Sequence, residues 1–434
     1  MSRTTRAPSP PPLRTWACFV FVLLGYWAVM FSHPEWFSYL GIRHYGTWFI
    51  DLFAILASND ALAQGLDVYA RNPLDFFGRP HVYSAWWLGL GRFGLTRLDN
   101  VWLGCVIGSA FFAAAAMRLR PRSLGELLWY LAIAGAPPML LAVERANNDL
   151  VIFLLLTPLV PCLLSTRWAL QAVAVLLIAL AAGLKFYPAA AALLLLAPDA
   201  PRTVRWRLVG AGLALVVVAV AVAPDYLRLR HLLPPVEGLM NFGSLHAFTP
   251  FGLGGATVQA ITLGVIFATV AGWWRVGIFG DWEIPPAMRA HWLHFILGAV
   301  LLCGCFFADS SYAYRWIFAL WLAPWLWGVV RETGTPRAVR RVAGLTMGLL
   351  AAVLWIDPLT EGLLRHVFNQ RPPEETQRMA QTVFAIEQPL VWVLFICLLG
   401  FLTHFLRISW RSITAVDSKL ASTPGKIMPP SPQP

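Results

Sequence analysis

Four short polar clusters stand in an otherwise apolar chain, and their residue types suit proton transfer and phosphate chemistry. The first is Asp51, set among Trp48, Phe49, Ile50, Leu52 and Phe53. A carboxylate so placed is equipped to take a proton from a hydroxyl, or else lies on the wet face of an interfacial helix. The second is Glu144–Arg145–Ala146–Asn147–Asn148–Asp149. It reads either as a helix cap with Glu144 paired to Arg145, or as a polar pocket for hydroxyls and phosphate. The third is Gly183–Leu184–Lys185–Phe186–Tyr187–Pro188, where Lys185 is the only basic residue between Arg167 and Arg202. An ammonium there either snorkels or finds an anion. The fourth is Asp309–Ser310–Ser311–Tyr312–Ala313–Tyr314–Arg315–Trp316. Its Arg315 offers a planar fork suited to phosphate, or an ordinary interfacial anchor.

Taken together, the clusters supply what transfer from a lipid phosphate requires. Lys185, Arg315 and Arg145 are candidates to hold an anionic leaving phosphate as the bond to it breaks. Asp51 is the candidate base for an incoming hydroxyl, and one base suffices for a single inverting displacement. Glu144, Asn147, Asn148, Tyr187, Tyr312 and Tyr314 are the candidate substrate-binding groups. The nine histidines are scattered, so no cofactor and no metal centre is expected. Asp309 and Asp149 could supply at most a weak divalent cation site.

The elements that must carry these residues are membrane helices. Of 434 residues 58% are hydrophobic and 13% charged, about half the charge of a soluble domain. The mean hydropathy is +0.63. Long apolar runs satisfy their backbone polar groups in lipid by forming helices. The spacing predicts an all-α polytopic fold of about twelve spans: 15–32, 100–117, 126–143, 149–165, 168–183, 186–198, 208–223, 257–274, 291–308, 313–330, 341–356 and 388–406. The fifth and sixth are short enough to form a kinked or re-entrant pair.

Basic residues set the expected orientation. With the N-terminus inside and alternation through twelve spans, the inside receives 20 of the 33 basic and 6 of the 22 acidic residues. All four clusters then lie outside. The net charge of +11 is therefore a topology signal, and no soluble basic module points to nucleic acid. All six cysteines fall in apolar spans, which leaves the loops without a disulfide framework. Residues 1–14 and 412–434 read as disordered inner tails around one membrane domain, 15–411, whose first span is a retained anchor. The largest external segment, 33–99, should hold an interfacial helix at 48–56. Ser58 or Asn59 should cap a second short helix ending at Gly65. Trp86, Trp87 and Trp102 fit an aromatic belt.

At these residues the chain resembles the integral-membrane GT-C glycosyltransferases, in particular the bacterial polyprenyl-phosphate-mannose-dependent α-mannosyltransferases and related arabinosyltransferases. The matching stretches are Asp51 with GLDVY at 65–69, ERANNDLVIFLLL at 144–156, GLKFYP at 183–188 and SYAYRWIF at 311–318. The resemblance implies a catalytic Asp in the first external loop, matched here by Asp51. It also implies an all-helical fold with a lipid-donor cavity open to the outer leaflet, and inversion at the transferred sugar. The donor would be a polyprenyl-phosphate sugar, mannose first, and the acceptor a glycolipid or glycan at the outer face of a bacterial inner membrane. The chain departs from the family near Tyr83, where HVYSAWW at 81–87 replaces a Tyr-Pro-Pro stretch and puts acceptor contacts in question. A transporter or lipid flippase is the rival from another class, though such proteins place polar groups near the midplane in paired halves. A membrane ligase of the O-antigen type would carry its large outer loop late in the chain, whereas here it follows the first span.

Overall fold

The computed structural model describes residues 13–198, 201–229, 232, 241–253, 255–308, 311–368 and 371–421. Asp309, Ser310 and residues 1–12 and 422–434 lie outside the described residues. The chain is about 79% helical. Its one strand pairing is a two-residue antiparallel bridge, Asn241 opposite Tyr312 and Phe242 opposite Ser311, among the described residues.

Helix α1 (Leu13–Ser32) is followed by a 3₁₀ turn, Pro34–Leu40, and by α2 (Ile50–Ala63). A 3₁₀ helix, Ala85–Phe93, leads to α3 (Asn100–Arg118). Next come α4 (Leu124–Ala134) and α5 (Pro137–Glu144), bent by 50° where Gly135, Ala136 and the prolines interrupt the hydrogen-bond ladder. Helices α6 (Asn148–Leu156) and α7 (Leu159–Leu164) flank Pro158 in the same way. Then α8 (Trp168–Leu184), a 3₁₀ helix Tyr187–Leu196, α9 (Pro201–Leu229) and α10 (Gly255–Val276) follow. The chain closes with α11 (Arg289–Ala308), a 3₁₀ helix Ala313–Trp321, α12 (Ala323–Arg331), α13 (Arg337–His366) and α14 (Pro373–Ala421).

Seven described helices are long and apolar enough to cross a membrane, or eight with the bent α4–α5 pair. The expected count of about twelve is not reached. The run at 168–183 forms one helix of 17 residues, and those at 149–165, 186–198 and 313–330 are divided or shortened by proline and 3₁₀ geometry. Helix α14 also continues to Ala421, ten residues past the expected end of the membrane domain at 411.

Helix α11 is the central post, with 78% of its apolar window buried, whereas α10 keeps only 11% buried. Aromatic side chains fill the space around α11. Phe295 packs on Trp325 with ring centroids 4.3 Å apart, and Phe153 stacks on Trp321 at 4.5 Å. Polar tips find carbonyls near the helix breaks: Tyr26 donates to Leu140, Trp129 to Ala323 and Trp355 to Ala132. Those carbonyls gain partners that lipid could not provide.

The first loop differs from the two-helix expectation. Helix α2 is continuous through Ser58 and Asn59, which are buried and cap nothing. Ser58 donates back to Ala54, and Asn59 ties α2 to the 85–93 helix by donating to Trp87 O and accepting from Gly91 N. Nor does α2 present a wet face at Asp51, because Ile50, Asp51 and Leu52 are all buried.

Candidate active site

Helix α2 begins without a capping side chain. Its residue before the first turn is Phe49, held at φ 56°, and its free amides are met by another helix end. Phe49 N donates to Glu144 O at 3.0 Å, and Asp51 N to Arg145 O at 3.2 Å. The last carbonyls of α5 thus satisfy the first amides of α2, two sets of groups that no helix can pair internally. This end-to-end docking brings Asp51 to the 144–149 turn.

That turn is itself constrained. Ala146 sits at φ 42°, a left-handed conformation that costs a residue with a Cβ about 1–2 kcal/mol. The reversal lets Asn147 do two things at once. Its Oδ1 accepts from Asp149 N at 2.9 Å, capping α6, and its Nδ2 donates to Asp51 Oδ2 at 2.6 Å. The cap and the pocket, alternatives on sequence, are the same residue.

Asp51 is 4% exposed. Two guanidinium groups flank its other oxygen, Arg79 at 3.8 Å and Arg145 at 3.9 Å. Arg79 is fixed in turn by a two-point contact with Asp75 and by donating to Ile50 O. Arg145 lies 5.9 Å from the ring of Tyr45, and Glu144 turns away to His44 at 3.1 Å. The Glu144–Arg145 pair considered from sequence does not form; each charge has a different partner.

A second charged centre forms on the far side of Asn147. Asp149 is fully buried and is contacted by Lys185 Nζ, by the Tyr187 hydroxyl at 2.7 Å and by Arg315 Nε at 3.9 Å. Lys185 also donates to Asn148 Oδ1 at 2.7 Å. The Arg315 guanidinium lies 5.1 Å from the Tyr187 ring, and Lys185 lies 5.7 Å from the ring of Tyr314, which stacks on Tyr312. The 241–242/311–312 bridge holds this tyrosine pair at the head of its 3₁₀ helix. Lys185 therefore does not snorkel, and Arg315 is no simple surface anchor. Both are cations gathered around one buried carboxylate.

The first loop completes the enclosure. Trp87 Nε1 donates to Leu184 O at 3.1 Å, one residue before Lys185, and a side chain at Gly183 would overlap the Trp86 ring. Trp87 is thus a buried tie and not a belt residue, while Trp86 and Trp102 remain exposed. Burial, and after it the neighbouring Asp51 carboxylate, push the Tyr83 phenol well above its ordinary pKa, so it stays protonated and can donate. Asp149 adds to that field, so Tyr83 lies within electrostatic reach of both carboxylates.

All ten residues expected at the site are described. Nine of them converge on these two centres, and Glu144 joins through its backbone carbonyl. Arg79, Asp75, His44 and Asp149's role as counter-ion were not foreseen from sequence. Arg79 is one arginine among several in a polar loop, with no spacing that marks it. Asp149 stands beside two asparagines as a visible signal, but the sequence marks it as a member of the 144–149 cluster and a weak cation ligand, not as a counter-ion. No group of three or more His, Cys, Asp or Glu side chains spaced for a metal occurs among the described residues. The six cysteines are free thiols.

Chemically, the arrangement offers a buried carboxylate, Asp51, flanked by two guanidinium groups and a side-chain amide. Beside it stands a group of two cations and one carboxylate, which retains positive charge for an anion. No protein-family model matches the chain, and no curated protein or solved structure does so either.

Proposed function

We propose that the chain is a membrane glycosyltransferase of the GT-C kind, moving a sugar, mannose first, from a polyprenyl-phosphate donor to a hydroxyl of a glycolipid or glycan. The observation that supports this most is the pairing of two different centres across one residue. Asn147 joins the Asp51 centre, suited to accept a proton, to the Asp149–Lys185–Arg315 centre, suited to hold a phosphate.

In the proposed reaction the acceptor oxygen attacks the anomeric carbon of the donor. The new glycosidic bond forms as the bond from that carbon to the phosphate oxygen breaks. The proton of the acceptor hydroxyl passes to Asp51, and the electron pair of the broken bond leaves with polyprenyl phosphate. Configuration inverts because attack and departure occupy opposite faces. Lys185 and Arg315 stabilise the leaving phosphate, and Asp149 holds them in place beforehand, so little reorganisation remains during the reaction. Arg145, Arg79 and Asn147 orient Asp51. In this reading Tyr83 and Tyr314 contact sugar hydroxyls. The basic-residue bias would set this face outside a bacterial inner membrane.

The test is to incubate the purified chain in detergent with a panel of polyprenyl-phosphate sugars and a mixed glycolipid acceptor, and to follow released polyprenyl phosphate. Release with one sugar supports the transferase. Movement of intact lipid across vesicles with no cleavage of any donor would favour a flippase.

A further inference from the structure

The end of the bundle remote from Asp51 holds a second polar cavity, of about 520 Å³. Helix α11 separates the two. Its first turn, with Arg289 and Trp292, lines this cavity, and its last turn ends just before the Ser311–Tyr312 bridge of the candidate site. Twenty helical residues span about 30 Å. The other main wall is α14, where His404, Arg407, Ile408 and Arg411 repeat at helical spacing and so share one face.

Three guanidinium groups line this volume against two carboxylates, Asp281 and Glu283. Asp281 is engaged with Arg411, and Arg289 donates to Pro198 O. Arg407 has no ion pair among the described residues. His404 is only 4% exposed, hydrogen-bonds to the Trp282 backbone and stacks on the Trp282 ring with planes 11° apart. Its Nε2 has no hydrogen-bond partner. A buried ring nitrogen left unsatisfied is costly unless a ligand meets it, and half-buried Arg407 stands beside it without an ion pair of its own among the described residues.

We propose that this cavity binds a phosphate-bearing anion, with Arg407 and His404 Nε2 as its principal contacts. Arg407 supplies a fork to two phosphate oxygens. His404 Nε2, the unpartnered ring nitrogen, accepts from a hydroxyl carried beside that phosphate. Trp282 and Trp292 provide flat apolar walls, and the volume falls in the range that takes a headgroup or a small phosphorylated molecule. The site is independent of the transferase reading, because none of its residues belongs to the Asp51 or Asp149 centres. The phosphate could arrive on a lipid headgroup or on a soluble compound, and the same chemistry serves both.

The experiment titrates the full-length protein in non-ionic detergent with phosphatidylglycerol, phosphatidylcholine and inorganic phosphate, reading bound mass by native mass spectrometry. Phosphatidylglycerol should bind about tenfold or more tightly than phosphatidylcholine, whose headgroup charge is neutralised. Arg407→Gln and His404→Phe should each remove about that factor, and the Phe ring retains the stack on Trp282 should the Gln variant fold poorly. Displacement of the lipid by inorganic phosphate, or binding of phosphate alone, assigns a soluble ligand; lipid binding that phosphate does not displace assigns a headgroup. Equal affinity for the two lipids with no phosphate binding overturns the proposal. So does anion binding that survives both substitutions unchanged.

Discussion

The side-chain amide of Asn147 donates to Asp51 at 2.6 Å, clamping the α5–α6 turn onto the first turn of α2. The same side chain caps α6 through Asp149 N, so one residue fixes both Asp51 and the helix that carries Asp149. The two roles are separable by substitution. Asn147→Ser keeps a capping oxygen but cannot donate to Asp51 over the same reach; Asn147→Ala loses both. The Ala variant should lose about 1–2 kcal/mol of stability, while the Ser variant loses little. Both should turn over about tenfold or more slowly than the native chain. Thermal unfolding and release of polyprenyl phosphate measure the two effects, and full turnover by the Ser variant would mean that this bond does not position the base.

Asp149 should behave as a structural counter-ion, and Lys185 and Arg315 as ligand groups. Removing the buried carboxylate in Asp149→Asn leaves two cations without it, which costs about 3–5 kcal/mol for a buried pair. Lys185→Ala and Arg315→Ala should weaken donor binding about tenfold or more, and Arg315→Lys should restore little because it lacks the fork. Calorimetric titration with a polyprenyl-phosphate sugar reads the affinity. Unchanged affinity in both Ala variants would leave these residues as partners of Asp149 and nothing more.

The first loop should be sensitive to acid through His81. This imidazole is 1% exposed, and burial pushes its pKa from 6.5 down to about 4. The folded loop therefore keeps it neutral where the unfolded loop binds a proton. The contribution is fully present above about pH 6.5 and is lost as pH falls toward 4, by about 1.4 kcal/mol per pH unit and about 3 kcal/mol in all. Hydrogen exchange or limited proteolysis of residues 33–99 across that range should show progressive opening. His81→Gln, which does not titrate, should flatten the profile, and a native loop equally protected at pH 4.5 and 7 would contradict the assignment.

How much of this was legible in the sequence depends on which forces set each feature. The membrane class and the all-helical fold follow from composition, since long apolar runs leave the backbone no alternative in lipid. The four clusters were visible as charges too isolated to be neutral decoration. Their mutual geometry was not, because Asp51, Asn147, Lys185 and Arg315 meet only through end-to-end docking of helices distant in sequence. The count of about twelve spans is not confirmed for a local reason: Pro137, Pro158 and Pro188 cut or tighten apolar runs that hydropathy reads as continuous. Ser58 and Asn59 misled in the opposite way. Both are good caps by type, yet partners in the 85–93 helix hold Asn59 inside a continuous helix, where Ser58 donates back to Ala54 O and accepts from Asn72.

The expected orientation puts residues 33–99 outside and the α12–α13 connection inside. A cysteine-free background carrying Gln64→Cys or Arg337→Cys, both at exposed positions, should be labelled by an impermeant maleimide only at 64 in right-side-out vesicles. Labelling at 337 alone would place Asp51, Lys185 and Arg315 on the inner face and remove an outer-leaflet donor from consideration.

The central claim is that Asp51 accepts the proton of the acceptor hydroxyl. Asp51→Asn keeps the shape and lets the amide oxygen still accept from Asn147, but it cannot take up a proton. The decisive measurement is the single-turnover rate of polyprenyl-phosphate release by Asp51→Asn, with donor affinity measured alongside and Asp60→Asn and Asp67→Asn as controls from the same loop. The account predicts a rate lower by about 10² to 10⁴ with donor affinity kept and both controls active. Native turnover by Asp51→Asn, with loss of activity in Asp67→Asn or in Glu144→Gln instead, would contradict it.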